Sequence, residues 1–149
     1  MSTPEERVAE AVRTALKSGE RERTATLRML LNEIKNERIR DQGAVDETGF
    51  LRLVRRAIKQ RQESASQYAD GGRQELADKE RREIGFLEVY LPEEVDEAEL
   101  RQAISVLMAE HELIGPAAMG SLMKLMMARY AGQVDGGRIN QLVREALID

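Results

Sequence analysis

"YLPEEVDEAEL", residues 90–100, interrupts a chain that otherwise reads as helix from end to end. Pro92 lacks the N–H a helix interior needs and biases Leu91 away from helical geometry, and the residues after it are acidic or turn-forming. The stretch predicts a boundary, with an N-terminal helical domain over residues 1–91 and a tail domain over 92–149. Asp96 followed three residues later by Glu99 has the capping-box spacing, so a new helix is expected to start just beyond the break.

Backwards from the boundary, four amphipathic segments are joined by short glycine loops. In "STPEERVAEAVRTALKSG" Thr3 is the expected N-cap, Pro4 takes the first helical position and Glu6 completes a capping box. Val8, Ala11, Val12, Ala15 and Leu16 then share one face until Gly19. A second helix places Leu27, Leu30, Leu31 and Ile34 inward and ends at Gly43. Asp46 caps a third, whose stripe is Val54, Ala57, Ile58, Ala65 and Tyr68, and Gly71 and Gly72 close it. A fourth carries Leu76, Ile84, Leu87 and Leu91. Forwards, Leu100, Ala103, Ile104, Leu107 and Met108 mark a fifth helix. Gly115 and Pro116 suit the start of a sixth, with Met119, Leu122, Met123, Met126 and Tyr130 inward. The seventh carries Ile139, Leu142, Val143, Ala146 and Leu147. The expected fold is all-α, a four-helix N-terminal domain followed by a small three-helix tail domain.

Composition agrees with this and narrows the chemistry. Of the 149 residues 34% are charged, only 3% are aromatic and none is cysteine, which favours helix over strand and removes disulfides and thiolate chemistry. No apolar run approaches the ~18 residues of a membrane span, and "MSTPEERVAEAV" is charged where a secretory leader would be apolar, so a cytoplasmic protein without a membrane role is expected. Residues 1–91 hold 18 Lys and Arg against 17 Asp and Glu, whereas residues 92–149 hold five against ten. An acidic tail argues against DNA as a partner.

No catalytic constellation emerges. The lone histidine, His111, extends the apolar stripe of the fifth helix near its C-terminus, where a partly buried residue favouring the helix dipole is the expectation. Zinc and calcium patterns are missing, as are nucleotide loops, so no metal and no cofactor are predicted. Basic residues say more. Arg52, Arg55, Arg56 and Lys59 fall at i, i+3, i+4 and i+7, a cationic stripe opposite the apolar face of the third helix. Two readings stand, a track for phosphates or a solvated face paired with nearby glutamates. Arg38 and Arg61 lie on the apolar stripes of the second and third helices, where structural ion pairs are expected and a cleft between domains is the alternative. Met119, Met123, Met126 and Met127 read as core, with Met127 at the edge.

"YAGQVDGGRINQLV", residues 130–143, raises the same choice between architecture and binding. Gly132 suits a left-handed helix end and Asp135 an N-cap accepting from N–H groups near Arg138. Gly136 and Gly137 then occupy a first turn, where glycine is a poor helix former, which hints that something approaches the backbone closely. Another part of the protein or an anion would serve; Asp135 disfavours the anion by its own charge.

The blocks "TLRMLLNEIKNERI", "RRAIKQRQESASQYADGGRQELADKE", "EIGFLEVYLPEEVDEAEL" and "MGSLMKLMMARYAGQVDGGRINQLVREAL" together resemble the YqeY family nearly end to end. That family looks like a free-standing version of the C-terminal helical and tail region of the GatB subunit of the glutamine-dependent aspartyl/glutamyl-tRNA amidotransferase. The resemblance implies a helical domain followed by a three-helix tail, and a tail that helps hold tRNA in the larger enzyme. It also implies family association with carbon-nitrogen ligases using glutamine as amido donor, although the residues present supply no such chemistry. The family's glycine loop maps onto Gly132, Asp135, Gly136, Gly137 and Arg138, with Gln133 where relatives often carry a basic residue. The expectation is a non-catalytic module associated with tRNA or a tRNA-processing enzyme. Its candidate binding residues are Arg52, Arg55, Arg56, Lys59, Lys124, Arg129, Gly136, Gly137 and Arg138. The alternative is a protein-interaction module acting through its acidic tail.

Overall fold

The computed structural model describes residues 2–130 and 133–148 and shows helices joined by turns, with no strand among the described residues. They are α1 (Pro4–Lys17), α2 (Arg21–Asp41), α3 (Glu47–Asp70), α4 (Gln74–Glu88), α5 (Glu97–Glu110), α6 (Met119–Arg129) and α7 (Gly136–Ile148), with a 3₁₀ turn at Pro116–Ala118 leading into α6. The chain divides into two compact units, Met1–Leu91 and Pro92–Asp149.

In the first unit α1 lies along α2 and α3 along α4, while α2 also touches α3 and α4. Val8, Leu30, Ile34, Phe50, Val54, Ala57 and Leu87 form its centre. Phe50 is almost fully enclosed and meets the Tyr90 ring edge-on, with centroids 5.4 Å apart. Burial of one such side chain is worth roughly 1.5–3 kcal/mol. In the second unit α5, α6 and α7 contact one another in all three pairings. Their core contains Leu100, Ile104, Leu122, Met126, Tyr130, Ile139 and Val143.

Local signals explain most helix starts. The Thr3 hydroxyl accepts from the Glu6 N–H and the Glu6 carboxylate accepts from the Thr3 N–H, a complete capping box. Asp46 accepts from the Gly49 N–H at 2.8 Å and opens α3. Gly19, at φ 73°, takes the left-handed turn between α1 and α2.

Several expectations need correction. Asp96 accepts from the Ala98 N–H, but Glu99 does not close a box; its carboxylate instead accepts from the Tyr130 hydroxyl at 3.4 Å. The residue that turns α2 off is Gln42, at φ 54°, and not Gly43. Leu16 and Leu76 keep 56% and 37% of their surface exposed; the enclosed positions beside them are Ala15 and Ala77, so the covered face at these helix ends is one residue away from the expected leucine. His111 is the C-cap of α5 and exposed, since the helix stops before the residue can follow the apolar stripe inward. The expected left-handed closure at Gly132 lies outside the described residues.

Candidate nucleic-acid interface

The stripe on α3 is built by angular position. Phe50, Val54, Ala57, Ile58, Arg61 and Ala65 face the core, which turns residues 52, 55, 56 and 59 to the opposite side. Arg52, Arg56 and Lys59 are exposed and Arg55 is half-buried. The run from residue 52 to 59 covers about 10 Å at 1.5 Å per residue, a length that several phosphates of one strand can span.

What distinguishes this stripe is where the unit's carboxylates are. Glu47 pairs with Arg7, Glu5 with Arg38 at 2.8 Å, Glu37 with Arg40, Asp78 with Arg81, and Glu22 with Arg82 at 2.9 Å. Hydrogen bonding to Arg82 holds the Glu22 carboxyl below the usual range, and the Glu22 bond in turn raises Arg82. Among the described residues Arg52, Arg56 and Lys59 have no carboxylate within ion-pair distance, so the glutamate-paired face does not form around these three. Arg55 is not free and is set apart from them.

The tail residues are less open to a ligand. Lys124 is exposed. The Arg129 guanidinium lies 5.8 Å from the centre of the Tyr130 ring. Arg138 is half-buried and donates to the Val95 carbonyl at 3.4 Å, which engages the charge expected to meet an anion. Asp135 caps α7 as expected: its carboxylate accepts from the Gly137 N–H, next to Arg138, at 3.3 Å, and its carbonyl accepts from the Arg138 N–H at 3.1 Å. Among the described residues nothing approaches the two glycines more closely than ordinary contact. A Cβ at 136 would meet Met127 at 3.6 Å and one at 137 would meet the Asp135 carboxylate at 3.6 Å, both ordinary contacts.

Arg38 and Arg61 part company. Arg38 pairs with Glu5 on the surface, its side chain 45% exposed, so it is neither buried nor a core ion pair. Arg61 is buried: it donates to the Ala57 carbonyl at 3.0 Å and to the Met29 sulfur at 3.7 Å, with Nε 3.8 Å from Glu83. The Thr26 hydroxyl donates to the same Glu83 at 3.5 Å. Beside them Glu80 has its carboxyl raised, first by burial and then by the Glu83 charge. Among the described residues no group of three His, Asp or Glu side chains could hold a metal, and no helix is long and apolar enough to cross a membrane.

Sequence reasoning passed over a second set of cations, Arg21, Arg28 and Lys35. Their spacing of seven residues was the available signal, since it keeps all three on one face of α2.

The family profile described as "Yqey-like protein" matches residues 5–147. The chain belongs to the YqeY family. The YqeY chain is also similar to "Altered inheritance of mitochondria protein 41, mitochondrial" of Lachancea thermotolerans, 33% identical over 98 residues, which covers 64% of this chain and 52% of that protein. It is 29% identical over 79 residues to "Uncharacterized protein C22F3.15" of Schizosaccharomyces pombe, covering 53% of this chain and 64% of the relative. The YqeY chain thus spans about half the length of the first and less than two-thirds of the second.

Proposed function

We propose that this YqeY protein is a non-catalytic, cytoplasmic accessory module that holds tRNA by its phosphates, with a four-helix domain as the holding part and the three-helix tail as a second domain. The observation that carries the reading is the face of Arg52, Arg56 and Lys59, exposed and, among the described residues, without carboxylate partners. The resemblance to the helical and tail region of the amidotransferase supports tRNA as the polyanion. With few aromatic residues, of which Phe50 and Tyr130 are buried, contact runs through the backbone of the RNA and not through base stacking.

The test is retention of total tRNA by the full chain at two salt concentrations. Three phosphate contacts predict a loss of affinity of about 40-fold between 50 and 200 mM salt, and Arg52→Glu with Lys59→Glu predicts most of that affinity gone at low salt. Retention that is indifferent to both salt and charge reversal sinks the reading. A second reading, docking of a protein partner on the tail, is favoured by Ile114, 83% exposed, and Ile148, 71% exposed, in a unit with twice as many acids as bases. Loss of a co-purifying protein on Ile114→Ser, with tRNA retention absent in the parent, selects it.

A further inference from the structure

α2 is packed by three helices and still keeps one face bare. Its enclosed side is Thr24, Thr26, Leu27, Leu30 and Ile34. On the opposite side stand Arg21, Ala25, Arg28, Asn32, Lys35 and Ile39, all exposed. They follow one another in alternating steps of four and three residues, the repeat along which a second helix packs. The ridge covers about 27 Å at 1.5 Å per residue, close to the whole of α2.

Two properties of the ridge define its occupant. The first is charge: among the described residues none of Arg21, Arg28 and Lys35 has a carboxylate within ion-pair distance. The acids of α2 are elsewhere, with Glu22 held by Arg82, Glu37 and Asp41 by Arg40, and Glu33 half-buried off the ridge. Glu20, just before the helix, is held by Arg23 at 3.5 Å. The second is exposed apolar surface in the same place. Ile39 keeps 66% of its area, Met29 beside the ridge 51%, and Leu16, where α1 turns into α2, 56%. A shallow hollow at the start of α2 is lined by Leu16, Gly19, Arg21, Thr24, Ala25 and Arg28 together with Glu20, the carboxylate held by Arg23.

Phosphates account for the cations but leave the isoleucine, methionine and leucine dehydrated against charge. An acidic amphipathic helix accounts for both, since its apolar stripe covers Ala25, Met29 and Ile39 while flanking carboxylates meet Arg21, Arg28 and Lys35. We propose that this face of α2 docks an acidic amphipathic helix of another protein. The proposal does not depend on the RNA reading, which uses a different helix.

The experiment follows the fluorescence anisotropy of a labelled helical peptide about as long as α2, with leucines on one stripe and glutamates flanking it, titrated with the full chain. A shuffled peptide of identical composition and an oligouridine RNA serve as the other probes. The expected result is binding at least about tenfold tighter for the amphipathic peptide than for the shuffled one, weakened about tenfold by Arg28→Glu with Lys35→Glu and comparably by Met29→Ser with Ile39→Ser. Arg52→Glu with Lys59→Glu leaves it unchanged. Equal binding of the two peptides overturns the proposal, as does a charge reversal that removes RNA binding and spares the peptide, which makes the ridge a phosphate track. Circular dichroism melts establish that each variant is folded, and Arg28→Gln with Lys35→Gln replaces any reversal that is not.

Discussion

Glu80 and Glu83 stand nearly one turn apart on α4 beside a buried guanidinium, and the three groups are not all content with their charges. Burial and the neighbouring Glu83 charge raise the Glu80 carboxyl above the ordinary range. A carboxyl raised on folding adds stability below its unfolded value and loses it as pH climbs through the folded one. Ionised Glu80 is therefore a burden at neutral pH. Glu80→Gln is expected to raise the melting temperature more at neutral pH than at about pH 4, because the native side chain takes up its proton as pH falls. An equal change at both values contradicts this electrostatic origin. The guanidinium itself was half legible in the sequence. Spacing put Arg38 and Arg61 on apolar stripes alike, but only Arg61 sits mid-helix with α4 over it. Arg38 stands three residues before the end of α2, where Glu5 from the start of α1 meets it in solvent. Periodicity gives the direction of a side chain and not the extent of what covers it.

At the scale of an element, caps are the most readable signals because donor and acceptor lie within four residues of each other. Asp46 is the example with most depending on it, since the 24 residues of α3 carry both a core face and the cationic stripe. Asp46→Ala is expected to cost about 1 kcal/mol in urea unfolding, with Asp46→Asn largely restoring it. An unchanged midpoint in the alanine variant would show that tertiary packing alone sets the start of α3. The end of α2 was not readable, because Gln42 adopts a left-handed conformation that glycine, its neighbour, would take more easily. The stripe on α3 was legible from its spacing, whereas the absence, among the described residues, of carboxylate partners for Arg52, Arg56 and Lys59 was not. That depends on pairs such as Arg7 with Glu47 and Arg82 with Glu22, formed across 40 and 60 residues of chain.

For the molecule as a whole, the two cores share no residue among those described. Residues 1–91, expressed alone, are expected to give a helical circular dichroism spectrum and a cooperative melt. A gradual, non-cooperative loss of signal would show that the first unit needs the second. Residues 92–149 are nearer the size at which burial barely offsets chain entropy, so they are expected to unfold at lower temperature. Here a buried ring has a practical consequence. The protein has no tryptophan and three tyrosines, and Tyr130, 5% exposed and bonded to Glu99, is the one that belongs to residues 92–149. With Tyr68 and Tyr90 replaced by phenylalanine, emission excited in the tyrosine band, where phenylalanine does not absorb, comes from that ring alone. The melting of the second unit then has a native optical signal, read without any attached dye.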